Sequence, residues 1–141
     1  TKPEDRDEAW WLTLASIVKP RVKHLGEVVS VCGMIFSHAD TLAYDEKAVS
    51  KGLAKEGMGS VLDAAQQALG TLSEDCWTET AIDAALEPLP EKLDMKKRLV
   101  FQAIRAAICG NLVSPPLGTT MQLIGRDDCL ARIARARTMA L

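Results

Sequence analysis

Apolar residues recur with a helical period through nearly the whole chain. In the first stripe four of them lie three and four residues apart, namely Trp10, Leu14, Ile17 and Val18. Side chains at these spacings share one face of an α-helix, whereas a half-buried strand would alternate apolar and polar residues. We find no such alternation and no internal repeat in the sequence. The pattern therefore predicts an all-α fold of about eight short helices.

Breaking and capping residues divide this pattern into helices. Pro20 ends the first helix, which is expected over residues 1–18, and the second is expected over Leu25–Ser37. The later helices are expected over residues 46–53, 60–69, 79–87, 95–109, 115–124 and 128–139. Short polar side chains accept hydrogen bonds from the free amides of a first turn, so they mark helix starts. The predicted N-caps are Asp45, Thr78, Asp94, Ser114 and Asp127.

The most distinctive stretch is the corner that follows the helix over residues 95–109. Arg105 lies in an apolar helix that Gly110 ends, and Ser114 and Pro115 are expected to start the next helix as N-cap and first residue. Proline rings, the side chain of Leu117, a hydroxyl and a guanidinium would then lie together. Such a surface suits an unstacked nucleic-acid base. It equally fits a connection between helices that packs against its own core.

The composition agrees with a helical protein. The 141 residues are 48% hydrophobic but only 4% aromatic, and alanine and leucine, which favour helices, dominate. This length suits one domain, or two small subdomains that share a core. No apolar run approaches the roughly 20 residues that span a bilayer, and the acidic N-terminus lacks the apolar segment of a secretory signal. We therefore expect a cytoplasmic protein with no membrane partner.

The cysteines and histidines form no metal-binding pattern. The four cysteines are scattered along the chain, at Cys32, Cys76, Cys109 and Cys129. A zinc site needs a close pair such as Cys-x2-Cys, and neither His24 nor His38 has a ligand partner at helical spacing. We expect reduced thiols in or near the core, and no bound metal.

Charge is distributed unevenly along the chain. Residues 1–91 carry 8 Lys and Arg against 16 Asp and Glu, whereas residues 92–141 carry 9 against 3. A basic C-terminal third on an acidic protein would suit a polyanionic partner. Basic residues also favour exposed helix faces and helix C-termini. Charge alone leaves these two interpretations open.

Four motifs occur in one order along the chain. The longest, from Arg105 to Ile133, joins an arginine-led helix ending in Gly to Ser-Pro-Pro-Leu and then to Gly-Arg-Asp and Leu-Ala-Arg-Ile. The others are Lys-Pro-Arg-Val-Lys-His-Leu at 19–25, Tyr-Asp-Glu-Lys-Ala at 44–48 and Cys-Trp-Thr at 76–78. Together they resemble the helical anticodon-binding region of bacterial glutamyl-tRNA synthetases, over nearly the whole chain. The sequence departs from that family at Cys109, where Thr is usual, and at Gly118-Thr119, where Phe-Glu is common.

This resemblance implies a helical cage of two packed subdomains, at residues 1–40 and 41–141. It implies binding of the anticodon stem-loop of tRNA-Glu within a polypeptide that is a glutamate–tRNA ligase. The nucleotide-binding signatures of such ligases, similar to His-Ile-Gly-His and Lys-Met-Ser-Lys, do not occur here, and neither does a β-α-β pattern for a nucleotide. We therefore expect a non-catalytic fragment without a cofactor, with ATP and magnesium held by a catalytic domain in cis.

The resemblance also assigns residues to the RNA. Arg105 matches the arginine that reads an anticodon base. Three corner residues match the Ser/Thr-Pro-x-Leu segment that cradles the bases, namely Ser114, Pro115 and Leu117. Arg21 matches, with a looser alignment, a basic position that faces the anticodon loop. General candidates for phosphate contacts are Lys23, Lys96, Lys97 and Arg98.

Two other functions fit parts of the pattern. A helical protein-interaction module would expose an apolar groove and would not bind RNA. A helix-turn-helix DNA-binding protein would use Gly125-Arg126-Asp127 as its turn and read bases with Arg132 and Arg135, but acidic residues at that helix start would repel phosphate. The sequence leaves open whether tRNA-Gln is also recognised, which residue reads which base, and the oligomeric state.

Overall fold

The residues that the computed structural model describes, which are 6–19 and 25–140, form helices joined by turns and loops, and no strand occurs among them. The α-helices are α1 Glu8–Val18, α2 Leu25–Phe36, α3 Glu46–Ala48, α4 Met58–Gly70, α5 Glu79–Leu86, α6 Leu89–Lys92, α7 Lys97–Cys109, α8 Leu117–Ile124 and α9 Arg126–Arg137. A π-helical turn, Val49–Leu53, continues α3, and a 3-10 turn, Glu74–Cys76, precedes α5. The all-α prediction is confirmed.

Several helix ends lie where local sequence predicts them. The Asp45 side chain accepts from the backbone N–H of Lys47 at 3.2 Å and begins α3. The Thr78 hydroxyl accepts from the N–H of Ala81 at 3.2 Å and begins α5. Gly110 ends α7 with φ +69°, a left-handed conformation that glycine adopts without strain. These ends depend on bonds between residues a few positions apart, so the sequence alone specifies them.

The prediction that Asp94 begins α7 is wrong. That helix begins at Lys97, and Asp94 has φ +52°. The N–H of Asp94 donates to the carbonyl of Glu91 at 3.2 Å, and the next N–H, of Met95, donates to that of Pro90 at 2.9 Å. This pair of bonds is the usual way to close a helix C-terminus. Asp94 therefore ends α6 instead of starting α7.

The predicted caps of the last two helices are also wrong. Helix α8 begins at Leu117, after Pro116, and the Ser114 hydroxyl bonds elsewhere. Helix α9 begins at Arg126 directly after Gly125, so Asp127 lies within its first turn. There its negative charge interacts favourably with the helix dipole. In both cases the chain continues into a helix without a side-chain cap.

A single buried apolar cluster includes residues from both ends of the chain, from Leu14 and Ile17 in α1 to Ala136 in α9. Helix α7 lies against α4, α9 and the π-helical turn, while α1 and α2 pack on α8. Two indoles fix α8, because Trp10 Nε1 donates to the carbonyl of Leu123 at 3.0 Å and Trp77 Nε1 to that of Met121 at 2.8 Å. The division at residue 40 stays a prediction.

The arginines of α9 bond within the protein. Arg132 has no exposed surface, and Arg135 donates to the carbonyls of Ala39 and Leu42 at 2.6 and 2.7 Å. Arg126 donates to the carbonyl of Leu72 at 2.6 Å, and Arg137 pairs with a carboxylate of α4. Arg132, one of the two base readers of the DNA-binding alternative, is therefore not available to a base. Several of the basic residues that make the C-terminal third positive thus bond to groups of the protein itself.

The structure also bears on the expectations for membrane spans and for the cysteines. No helix in the described part of the chain is long and apolar enough to cross a membrane. The four cysteines are free thiols, but Cys76 is exposed, so its predicted place in or near the core is wrong. It lies in the 3-10 turn ahead of α5, where the neighbouring Trp77 is the residue that enters the core.

Candidate functional site

Helix α7 and the loop after it bring Arg105 and Ser114 together. Arg105 is half-buried on α7, between the fully buried Ile104 and Ala106. Its Nε donates to the Ser114 Oγ at 2.9 Å, and that hydroxyl donates to the carbonyl of Pro115 at 2.8 Å. The two residues are nine positions apart, so only the turn at Gly110 makes this contact possible.

The outer part of the Arg105 guanidinium is available to a ligand. Neither of its Nη atoms bonds to a residue within 6–19 or 25–140. A guanidinium is a planar fork with five N–H donors, of which Nε carries one. Because that one is fixed by Ser114, the fork has a set orientation before any ligand binds.

The corner is held in place by the segment around Tyr44. The Tyr44 hydroxyl donates to the carbonyl of Ala107 at 2.7 Å, and the N–H of Asp45 donates to the carbonyl of Gly110 at 2.8 Å. Burial raises the pKa of Tyr44, outweighing the nearby arginines, so the phenol stays protonated and keeps this bond. The motif at 44–48 therefore positions the end of α7.

The corner presents different side chains to solvent from those predicted. Pro115 is buried, and Leu117 is only 7% exposed at the start of α8. Pro116 is exposed, and Val113 is 83% exposed. The structure thus brings Arg105, Ser114 and the proline pair together, but places the predicted apolar contacts mostly beneath the surface.

A buried thiol lies under this corner. Cys109 is the last residue of α7, and burial raises the pKa of its thiol despite opposing effects of Ser114 and Arg105. A thiol kept protonated is a poor nucleophile and a poor metal ligand. The Cys109 side chain therefore has a packing role at the corner, and the described residues contain no cluster of His, Cys, Asp and Glu suited to a metal ion.

The predicted phosphate contacts on α7 are exposed. Lys96, Lys97 and Arg98 form the start of the helix, and Lys97 pairs with Glu87 at 3.2 Å. Arg98 precedes Arg105 by seven residues, which is two helical turns, so the two lie on one face about 10 Å apart along the axis. Arg21 and Lys23 lie outside the described residues.

No pattern in the sequence indicates that Val113 is exposed. Val113 lies within the motif from Arg105 to Ile133 but is none of the residues that define it, and it belongs to no helical stripe, so periodicity cannot reveal its exposure. The same holds for the π-helical turn, where Gly52 allows close packing against Ala106 of α7, 2.9 Å from where a Cβ would lie. Both features depend on which backbones meet in the fold.

A separate concavity of about 370 Å³ lies between the end of α2 and the start of α9. Its lining includes the cations of Arg6 and Arg126 and the carboxylates of Asp127 and Asp128. The Arg6 guanidinium stacks on the rings of Trp10 and Phe36, at 4.2 and 4.5 Å from their centres. Charges of both signs line it, so no one ligand class is favoured there.

Comparisons with known proteins agree with this geometry. A family model described as "Anticodon binding domain" matches residues 2–137. The chain is 42% identical to the glutamate–tRNA ligase of Mycolicibacterium smegmatis, over 93% of the chain and 26% of that protein. It is 39% identical to the glutamate–tRNA ligase of Corynebacterium efficiens, over 96% of the chain and 27% of that protein.

Solved structures share the fold. A glutamate tRNA ligase from Elizabethkingia meningosepticum superposes with a TM-score of 0.80 at 19% identity, over 94% of this chain and 25% of that one. The glutamate-tRNA synthetase of Elizabethkingia anophelis gives a TM-score of 0.75 at 20% identity, with the same coverage of 94% and 25%. The chain thus spans about a quarter of the length of the proteins it matches.

Proposed function

The chain belongs to the anticodon-binding domain family, and on this premise we propose that it binds the anticodon stem-loop of a glutamate tRNA. The curated relatives reported above are glutamate–tRNA ligases of about four times its length. In the whole cytoplasmic polypeptide, a catalytic domain in cis would bind ATP and magnesium and join glutamate to the tRNA. This chain would contribute recognition of RNA and no catalytic residue.

The observation that carries the proposal is the fixed guanidinium of Arg105. Its Nε is bonded to Ser114, while its two Nη groups bond to no residue in the described part of the chain. A planar fork held in this way can donate two parallel hydrogen bonds to the edge of a base. Because the side chain is ordered before binding, less conformational entropy is lost when the RNA arrives.

The other corner residues support that guanidinium. Ser114 supplies the acceptor, and its own hydroxyl is tied to the carbonyl of Pro115. Pro115 and Leu117 are packed inside the protein. We assign these two to the rigidity of the corner, with the bases lying on its solvent-facing side.

The charges at the start of α7 fit a phosphate backbone. Lys96, Lys97 and Arg98 lie at the positive end of the helix dipole, where cations are unfavourable, and the first turn has no acidic residue; of the three, Lys97 pairs with Glu87 of the preceding segment. Local helix stability therefore does not explain them, whereas a polyanion would relieve the repulsion. We place Arg21 and Lys23 on the same RNA from their motif alone.

The test is Arg105→Ala, with binding of the chain measured on stem-loop RNAs. The wild type is expected to prefer a loop with the glutamate anticodon over loops with one anticodon base changed. Losing a base-edge contact should reduce that preference about tenfold, since one such contact contributes on the order of 1–3 kcal/mol. Arg105→Lys should restore little of it, because a single ammonium cannot make two parallel bonds.

Arg137→Ala is the matched control. It removes the same charge from α9, where Arg137 is paired with Asp63 at 3.0 Å, so the preference should stay as in wild type. The proposal is overturned if the wild type does not bind these RNAs at low salt, which is the result expected of a protein-interaction module. Equal binding of all loops by the wild type and by Arg105→Ala would remove the base-reading role.

A further inference from the structure

Val113 is the most exposed of the large apolar side chains described, at 83%, followed by Leu12 at 63%. One exposed apolar residue is ordinary on a protein surface. The position of Val113 is what distinguishes it. It directly precedes Ser114, whose hydroxyl accepts from the Arg105 Nε. An apolar surface therefore adjoins a fixed cation with free donors.

The loop is ordered on both sides of Val113. The Asn111 Oδ1 accepts from the N–H of Leu112 at 2.7 Å and from the N–H of Val113 at 3.4 Å. On the other side Ser114 is bonded to α7 and Pro115 is buried. Val113 is thus exposed on a loop whose backbone is held by hydrogen bonds on both sides.

The side chain before Val113, that of Leu112, is partly buried and packs against the core. The Leu112 Cδ2 lies 3.2 Å from where a Cβ on Gly52 would stand, so the glycine of the π-helical turn leaves the space that Leu112 uses. With Leu112 turned inward, Val113 is turned outward. The loop is built to present one apolar side chain beside the guanidinium.

We infer that Val113 is a base-contacting residue, forming the apolar surface on which one unstacked anticodon base lies while Arg105 binds the edge of that base or of its neighbour. This inference rests on the proposed function and names a further residue of that site. An unstacked base loses its contacts with the neighbouring bases and can replace them with contacts to a protein surface. Aliphatic carbons supply such contact for any base.

The experiment compares Val113→Ala and Val113→Thr with the wild-type chain on the glutamate-anticodon stem-loop. Val113→Ala removes bulk, and Val113→Thr replaces a methyl by a hydroxyl at similar volume. Each is expected to weaken binding about three- to tenfold, in line with the apolar area lost. The slope of affinity against salt should stay unchanged, because Val113 neutralises no phosphate.

A fluorescent base analogue locates the contact. Stem-loops with 2-aminopurine at one anticodon position at a time should show a Val113-dependent change in fluorescence at one position. Asn111→Ala should also weaken binding, but should add nothing to Val113→Ala, because its effect passes through Val113. Thermal unfolding of each variant should match the wild type, since both residues are exposed.

Leu12→Ala is the matched control, because it truncates an exposed apolar side chain on α1 and should leave binding unchanged. If the wild type binds with anticodon preference while both Val113 variants bind as tightly and give the same fluorescence, the inference is overturned and the proposed function stands. If the wild type binds no stem-loop, the proposed function falls as well.

Discussion

Gly110 combines two backbone requirements that no other residue type meets. It ends α7 at φ +69°, and its carbonyl accepts from the N–H of Asp45 at 2.8 Å. A Cβ there would overlap the carbonyl oxygen of Ala43. The close approach of these two backbone segments keeps the corner and the motif at 44–48 in register.

We predict that Gly110→Ala lowers the free energy of unfolding by about 2 kcal/mol or more. A left-handed non-glycine residue costs on the order of 1–3 kcal/mol, and the overlap is with backbone, which cannot rotate away. Urea unfolding followed by circular dichroism measures the loss. Gly33→Ala in α2 is the control, because nothing lies within 4 Å of its Cβ position and alanine favours a helix. A Gly110→Ala variant as stable as wild type would show that the two segments separate freely.

Helices α5 and α8 meet at a carboxylate. A Cβ on Gly118 would overlap the carboxylate of Asp83, so the glycine that departs from the family pattern leaves space for this side chain. Asp83 is an exposed residue, but partial burial of its carboxyl raises the pKa, and repulsion from Glu79 and Glu87, one turn away on either side, adds to the rise. The packing of two elements thus changes the titration of one residue.

We predict that Asp83→Asn stabilises the protein at neutral pH. A carboxyl whose pKa is raised on folding binds more protons in the native state, so its contribution to stability is lost as pH rises from the ordinary aspartate pKa through the raised one. The variant should therefore gain stability relative to wild type across that interval, and the difference should vanish at lower pH. Denaturant unfolding at a series of pH values measures it.

Asp75→Asn provides the comparison for Asp83. It removes the same charge from an exposed turn and so separates the local effect from the change in net charge. A loss of stability in Asp83→Asn at neutral pH would mean that the charged carboxylate is favoured beside the start of α8, contrary to the raised pKa.

Arg132 connects three parts of the molecule. Its Nη2 donates to the carbonyls of Met34 and Ser37 at the end of α2, at 2.9 and 2.5 Å. Its Nη1 donates to the carbonyl of Ile108 near the end of α7 at 2.8 Å, and its Nε pairs with Asp128 at 2.9 Å. A cation at two helix C-termini is favourable, and its fully buried charge is satisfied throughout.

We predict that Arg132→Ala lowers the free energy of unfolding by about 3–5 kcal/mol, because it leaves a carboxylate and three carbonyls without their donor. Arg132→Lys should retain only part of the stability that Arg132→Ala loses, since one ammonium cannot reach all four acceptors. Chemical unfolding measures both. Arg137→Ala is the control, because its exposed pair with Asp63 contributes about 0–1 kcal/mol. A small effect of Arg132→Ala would mean that water replaces the guanidinium.

How much of the molecule follows from sequence depends on the range of the deciding interactions. The periodic stripes, the ends at Asp45, Thr78 and Gly110, and the class of fold rest on contacts within a turn or two. Sequence also associated Arg105 with Ser114 through a motif. It does not reveal the buried role of Arg132, which is a base reader only in the DNA-binding alternative, because a buried arginine and an exposed one look alike along a helix.

The sequence alone determined an all-helical chain and the family to which its motifs belong, because helix formation and glycine stops depend on neighbouring residues. The tertiary structure decided that α8 begins at Leu117 without a cap from Ser114, since the Ser114 hydroxyl binds Arg105 of α7 instead. It also decided which side of the proline corner faces solvent. Those outcomes depend on competition for hydrogen-bond partners and on burial between segments distant in sequence, which local pattern does not contain.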